Sequence, residues 1–266
     1  EARDGNVAGN ATSTLVAIKK VDSASVTVSD ADRANRSNVV LRGSNITLGK
    51  FVVKSSNSAN EATVNSLNFT LTTGTTNAAV NLSNDIDSKI ELRVNGSVVA
   101  DLTGDANGVF SGLNLNETID KQLEVEVIAK NTLDAADYKL TFNNVNGKPV
   151  NRVVNKKVVN TLVRVVKMEN INGDTRYTLA VDKYESDKDA SNLVFKYTDE
   201  RGATQTTPAR TNVSDGEVFT LPGNADQNYT ITEVQYRVGT ETVTIKKADF
   251  EDYFSIDGTA LKIFRA

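Results

Sequence analysis

The sequence predicts an all-β protein built as two tandem antiparallel β-sandwich domains. Three observations carry that expectation. Apolar residues alternate with polar ones at period 2 through most of the chain, as in strands with one buried face. Asn-Gly, Asp-Gly and lone Gly positions separate these runs at hairpin spacing. Helical spacing is nearly absent: only KKADFEDYF, residues 246–254, reads as a turn or two of helix.

The elements follow in chain order. Residues 1–20 form an N-terminal arm; its first dozen, EARDGNVAGNAT, read as flexible or as ordered by a neighbour. STLVAIKKVDSASVTV, residues 13–28, can form strands but precedes the first clear body. In NITLGKFVVKS, Ile46 and Leu48 share one parity while Phe51 and Val53 have the other. An extra residue near Gly49 restores both pairs to one face, which predicts a bulge or a sheet switch. Leu67, Phe69 and Leu71 then alternate with Asn68 and Thr70. In IELRVNGSVVADL, Asn95-Gly96 sits between two alternating runs and predicts a type I′ hairpin. Leu123, Val125 and Val127 alternate with Glu124 and Glu126, and Tyr138, Leu140 and Phe142 with Lys139 and Thr141.

A division falls near 150–157, where NNVNGKPVNRVVNKK combines turn formers, a proline and basic residues. One tyrosine precedes it and six follow, which suggests two different cores. The expected domains are 21–152 and 153–266. VVNTLVRVVKM, 158–168, is apolar on both faces and needs cover on both. Further hairpins are expected at Asn172-Gly173, Gly239 and Asp257-Gly258, and a second parity break at Glu233.

Residues 45–143 resemble the Ig-like β-sandwich repeat of bacterial and archaeal surface-layer, pilus-like and other cell-envelope proteins. The carriers are Asn95-Gly96, then Phe110-Ser111-Gly112-Leu113, then the Leu123/Val125/Val127 strand. The resemblance implies tandem Ig-like sandwiches and a scaffold role at a cell surface. It carries no catalytic residue across. Residues 158–266 match no family by their motifs.

Composition narrows the chemistry. The 266 residues include no His, no Cys and no Trp. That removes the usual neutral-pH acid–base side chain, thiol nucleophiles, disulfides and soft metal ligands. Net charge is −4 and the pI is near 5.1, so no field favours nucleic acid or an anionic membrane. No apolar run approaches the roughly 18 residues of a membrane span. The absence of an initiator Met and of a signal peptide reads as a processed protein or a fragment. The lack of Cys fits a bacterial or archaeal surface protein or a cytosolic one, and the 29 Asn tilt the reading toward the surface.

Candidate chemistry is thin. Asp85/Asp87, Glu124/Glu126 and Asp187/Asp189 have the i,i+2 spacing of same-face carboxylates, and a wet strand face explains them better than glycoside hydrolysis. DKYESDKDASN, residues 182–192, offers Asp182, Glu185, Asp187, Asp189 and Ser191 as oxygen donors. Its D-x-D-x-S start resembles the opening of a calcium loop, although the closing acid is replaced by Thr198 and two lysines dilute the charge. TGDANG, 103–108, is a weaker version. Asn-X-Ser/Thr sequons begin at Asn10, Asn35, Asn45, Asn68, Asn81, Asn95, Asn116, Asn212 and Asn228. The basic stretch Arg152, Lys156, Lys157, Arg164 and Lys167 reads as a linker and a solvated strand face. A Lys–Asn isopeptide bond suits a Cys-free surface domain, but no lysine is marked as buried.

The expectation is therefore a non-enzymatic extracellular structural protein, a subunit or fragment of a surface layer, sheath or filament. It needs no cofactor, and calcium is the one ion its loops suggest. Its partners are copies of itself, neighbouring envelope proteins or cell-wall glycan. The alternative is an adhesin or carbohydrate-binding module.

Overall fold

The computed structural model describes residues 26–30, 39–56, 62–74, 76–80, 90–119, 122–171, 174–198, 202–221, 229–246, 255–256, 259–260 and 262–263. The expected arm at 1–20 lies outside them, as does all but Lys246 of the expected helix. The described residues form strands, turns and loops, with no helix. The chain is all-β, as its alternation predicts.

Among the described residues twelve strands precede Asn160. They are β1 (Val26–Asp30), β2 (Val39–Leu41), β3 (Ile46–Ser55), β4 (Ala62–Val64), β5 (Leu67–Thr73) and β6 (Ile90–Val94), followed by β7 (Ser97–Leu102), β8 (Val109–Gly112), β9 (Glu117–Ile119), β10 (Leu123–Ala129), β11 (Ala136–Val145) and β12 (Lys148–Val159). They make one five-stranded sheet in the order β1-β3-β10-β6-β7 and a second in the order β2-β12-β11-β5-β8. β4 and β9 pair separately. The inward side chains of both sheets form one buried cluster. At its centre Phe51 of the first sheet meets Phe142 of the second, 5.0 Å away and edge-on, and Phe142 stacks on Phe69 at 4.5 Å. Aromatic pairs in such geometry add about 0.5–1.5 kcal/mol beyond their burial.

Among the described residues eleven strands follow. β13 (Thr161–Ile171), β14 (Asp174–Lys183), β15 (Ala190–Thr198), β16 (Thr204–Thr206), β17 (Arg210–Val213) and β18 (Val218–Leu221) come first. β19 (Tyr229–Val238), β20 (Glu241–Lys246), β21 (Ser255–Ile256), β22 (Thr259–Ala260) and β23 (Lys262–Ile263) complete the set. The sheet β13-β14-β18 belongs with the sheet β16-β15-β19-β20, which also carries β17 on β15 and β23 on β19. A second cluster holds their apolar residues, with Tyr177, Phe195 and Tyr236 fully buried.

The turn chemistry is realised where the sequence carried it. Asn95 (φ 49°) and Gly96 (φ 81°) form the two-residue turn between Val94 and Ser97. Val238 pairs with Glu241 around Gly239, whose φ is 59°. The bulge near Gly49 is present: Val127 faces Gly49 and Ile128 faces Thr47, leaving Leu48 as the extra residue. Ile46, Leu48, Phe51 and Val53 are consequently all buried. The second parity break has the same cause. Lys196 faces Glu233 and Tyr197 faces Ile231, so Thr232 is extra.

The segment read as the division has another role. Asn146 (φ 50°) and Gly147 (φ 75°) close the β11–β12 hairpin, and residues 148–159 are one continuous strand. The change of core comes later, because Val158 points into the first cluster and Val159 into the second. β2 pairs in parallel with that part of β12 and is divided likewise: Val40 packs on the first cluster, Val39 and Leu41 on the second. Turn formers and a proline mark a hairpin as readily as a linker.

Candidate functional site

The loop that sequence reading singles out for metal, 182–192, joins β14 to β15 beside the junction of the two cores. Asp182 is the penultimate residue of β14; its Oδ2 accepts a hydrogen bond from Arg164 Nε at 2.9 Å and lies 2.6 Å from Arg164 Nη2 in an ion pair. Asp189 accepts from Lys183 Nζ. Lys188 Nζ lies 3.6 Å from Asp187 and 4.0 Å from Glu185. Ser191 has passed into β15, opposite Asn212 and Arg237. Asn192 follows with φ 53°, in the irregular stretch where the β15–β19 register shifts.

Calcium needs six to eight oxygens converging at about 2.3–2.6 Å. Here each of the four carboxylates is already matched to a cation, and among the described residues no three acidic side chains gather as a metal site. The residues as placed do not fit the ion. The two lysines that dilute the charge in the sequence are the partners that hold the loop.

The other acidic candidates are held in the same manner. Glu124 and Glu126 share Lys50 at 3.5 and 3.8 Å, and Glu126 also accepts from the Thr47 hydroxyl at 2.8 Å. Asp105 in TGDANG accepts from the amides of Asn107 and Val109, so it builds the turn before β8. Gly108 has φ 72°, and a Cβ there would meet the Leu71 carbonyl at 2.5 Å. Asp85 and Asp87 lie outside the described residues.

The basic stretch is dispersed. Lys157 pairs with Asp137, Arg164 with Asp182 and Lys167 with Glu169. Lys156 corrects the solvated reading: it shares the inward parity of Val154 and Val158, is 4% exposed and is engaged by a neighbouring group. Its parity was visible in the sequence; the charge masked it. Glu91 is a second buried ion, bound by Lys130 Nζ at 2.8 Å and Arg93 Nε at 2.5 Å. The hydrogen bond from Lys130 holds the Glu91 carboxyl below its ordinary range; burial opposes this and Arg93 supports it. Burial, aided by the charge of Asp134, pushes the Tyr138 hydroxyl up to about 12.

Sequence reasoning missed one constellation. Arg42 follows β2, and its Nη2 donates to Asp134 Oδ1 at 2.7 Å. Its guanidinium lies 4.7 Å from the ring centroid of Tyr184, which leads the 182–192 loop away from β14. Tyr184 is 41% exposed, and the Asp134 side chain is 86% exposed. Residues distant in sequence thus present an aromatic face, a cation and a carboxylate at the junction. No local motif announces such a group, because its members come from three separate loops. It offers stacking and hydrogen bonding to a ligand, but pairs no nucleophile with a base.

No family model matches the chain, and no curated protein matches it. Among solved structures, a DUF3823 family protein from Bacteroides ovatus is similar over 74% of this chain and 99% of its own, at 13% identity and TM-score 0.25. A β-glucuronidase from an uncultured Clostridium is similar over 75% of this chain at 10% identity and TM-score 0.24; this chain spans 34% of the enzyme. The adhesin domain of Epf from Streptococcus pyogenes is similar over 74% of this chain and 71% of its own, at 10% identity and TM-score 0.19. Likeness at this level transfers neither activity nor ligand.

Proposed function

We propose that this chain is a structural protein of a bacterial or archaeal cell surface, a subunit or fragment of a surface layer, sheath or filament that assembles through its sandwich surfaces. The observation that supports it is the junction. Two hydrophobic cores share the β2–β12 pair, so the molecule is joined by packed strands as well as by covalent chain. Glu124, Glu126, Lys157, Arg164, Asp182, Asp187 and Asp189, which sequence reading marked as chemistry, are engaged in internal ion pairs. Among the described residues none forms a catalytic pair, and no helix is long and apolar enough to cross a membrane. Its partners are copies of itself or neighbouring envelope proteins.

The second reading, an adhesin or glycan-binding module, is favoured by Tyr184 with Arg42 and Asp134. Electron microscopy of native cell surfaces and of purified protein separates the two. A periodic array or filament containing this chain supports the first. A monomer that binds wall glycan and loses binding in Tyr184→Ala overturns it in favour of the second.

A further inference from the structure

We infer that the β2–β12 pair is a mechanical clamp that makes the first sandwich a load-bearing element along the chain. The inference does not depend on what the protein assembles into.

The geometry is simple. β1 comes first and pairs antiparallel with β3; β2 is the next strand in the path of a pull, β12 leaves the sandwich, and these two run parallel, with Val39 opposite Lys157, Val40 opposite Val158 and Leu41 opposite Val159. The backbone amide of Arg42 extends the ladder by donating to the Val159 carbonyl at 2.8 Å. A pull on the chain before Val39 and after Val159 therefore acts at opposite ends of the pair. The interstrand hydrogen bonds lie across the strands, so such a pull loads them together, in shear. In an antiparallel terminal pair both forces would act at one end, and the bonds would open one after another.

Two further features strengthen the pair. Both faces are covered, since Val40 and Val158 pack on the first core while Val39, Leu41 and Val159 pack on the second. Water is thereby kept from the bonds in the folded chain, and sliding must strip Val40 and Val158 from the first core. Arg42 then fixes the exit of β2 through Asp134 and the Tyr184 ring.

The second sandwich supplies the internal comparison. Its first strand, β13, pairs antiparallel with β14, and its last described strand, β23, pairs antiparallel with β19 in the other sheet. Among the described residues every strand pairing of the second sandwich is antiparallel, so it has no counterpart of the β2–β12 pair. The first sandwich is thus expected to unfold at the higher force.

Single-molecule pulling on the full chain tests this. The chain has no Cys, so one added at each terminus gives unique attachment points. Forced unfolding reads the barrier to unfolding rather than equilibrium stability. Two events are expected, and the one releasing the longer contour, residues 26–159, should need the higher force. Val40→Pro places a residue without an N–H in the middle of β2. It should lower that event to the force of the second sandwich or below. Arg42→Ala should lower it by less. The inference is overturned if the longer event occurs at the lower or an equal force in the unaltered chain, or if folded Val40→Pro keeps the original force. The ordering in the unaltered chain decides the matter even where the proline variant does not fold.

Discussion

Asparagine is where this sequence says most and is easiest to misread. As composition, its 29 copies suggested a surface protein and a set of sequons. In the structure, every non-glycine residue with positive φ among those described is an asparagine: Asn45, Asn77, Asn95, Asn114, Asn116, Asn146, Asn151 and Asn192. Asn tolerates the left-handed region better than other side chains because its short amide can bond locally. Asn-Gly pairs made Asn95 legible; Asn45 and Asn116 carried no such mark, because φ is set by the loop's path rather than by a neighbour. Asn146 does most. Its Oδ1 accepts from the amides of Asn65 and Ser66, and its Nδ2 donates to the Thr63 carbonyl. Asn146→Gly keeps the backbone freedom and loses these bonds, each worth about 0.5–1.5 kcal/mol. Asn146→Ala adds about 1–2 kcal/mol for the left-handed conformation, so denaturation midpoints should fall in the order native, Gly, Ala. Glu91 gives a pH test. Its folded pKa is depressed, so its contribution is fully present above the unfolded value near 4.3 and is lost as pH falls through the folded value. Glu91→Gln should cost about 1.5–3 kcal/mol at pH 7, and the gap to the native chain should close on acidification. A gap that stays constant with pH would falsify the assignment. Calcium should leave the melting temperature unchanged, since Asp182 and Asp189 already have cationic partners; a rise on titration would show that the 182–192 loop rearranges to bind it.

At the scale of the element, period 2 and its interruptions were readable. The break between Leu48 and Phe51 located the β3 bulge because a strand with one dry face cannot change parity without an extra residue. What alternation could not show was the partner across the bulge. A Cβ at Gly49 would meet Leu140 Cδ2 of the opposite sheet at 3.0 Å and the ring of Phe51, on its own strand, at 3.2 Å. Gly49→Ala should therefore destabilise the first sandwich by about 1–3 kcal/mol through overpacking. Gly43, with nothing within 4 Å of its Cβ position, is the control and should tolerate Ala. Equal midpoints for the two variants would mean that the bulge relaxes and the close approach is not required. The expected β13–β14 hairpin at Asn172-Gly173 shows the limit of description. Ile171 pairs with Asp174, and the two residues between them lie outside the described residues.

At the scale of the molecule, the aromatic shift foretold two cores, but the way they join was not legible. It depends on β2, three residues that pair with a strand more than a hundred positions away. The segment 158–168 was expected to need cover on both faces, either from a neighbour or from the two domains themselves. The chain supplies it: Val158 enters one core, and Val159, Leu162, Val163 and Val165 enter the other. That removes one motive for self-association and shifts attention to what stays uncovered. Val166 is the extra residue where β13 slips against β14, and it faces outward at 50% exposure. Val218, on β18 across β14 from it, is 52% exposed. The three-stranded sheet thus has apolar side chains on its outer face, while the expected arm, 1–20, leads into 13–28, a sequence able to form strands. If the arm drives assembly by adding a strand to a neighbouring copy, deleting residues 1–20 should abolish particles in electron microscopy and sedimentation while leaving the melting temperature unchanged. If Val166 and Val218 carry the contact instead, the deletion should assemble normally and Val166→Lys with Val218→Lys should not. A full-length chain that stays monomeric at high concentration, with and without calcium, would sink both routes and leave the glycan-binding reading at Tyr184 as the stronger one.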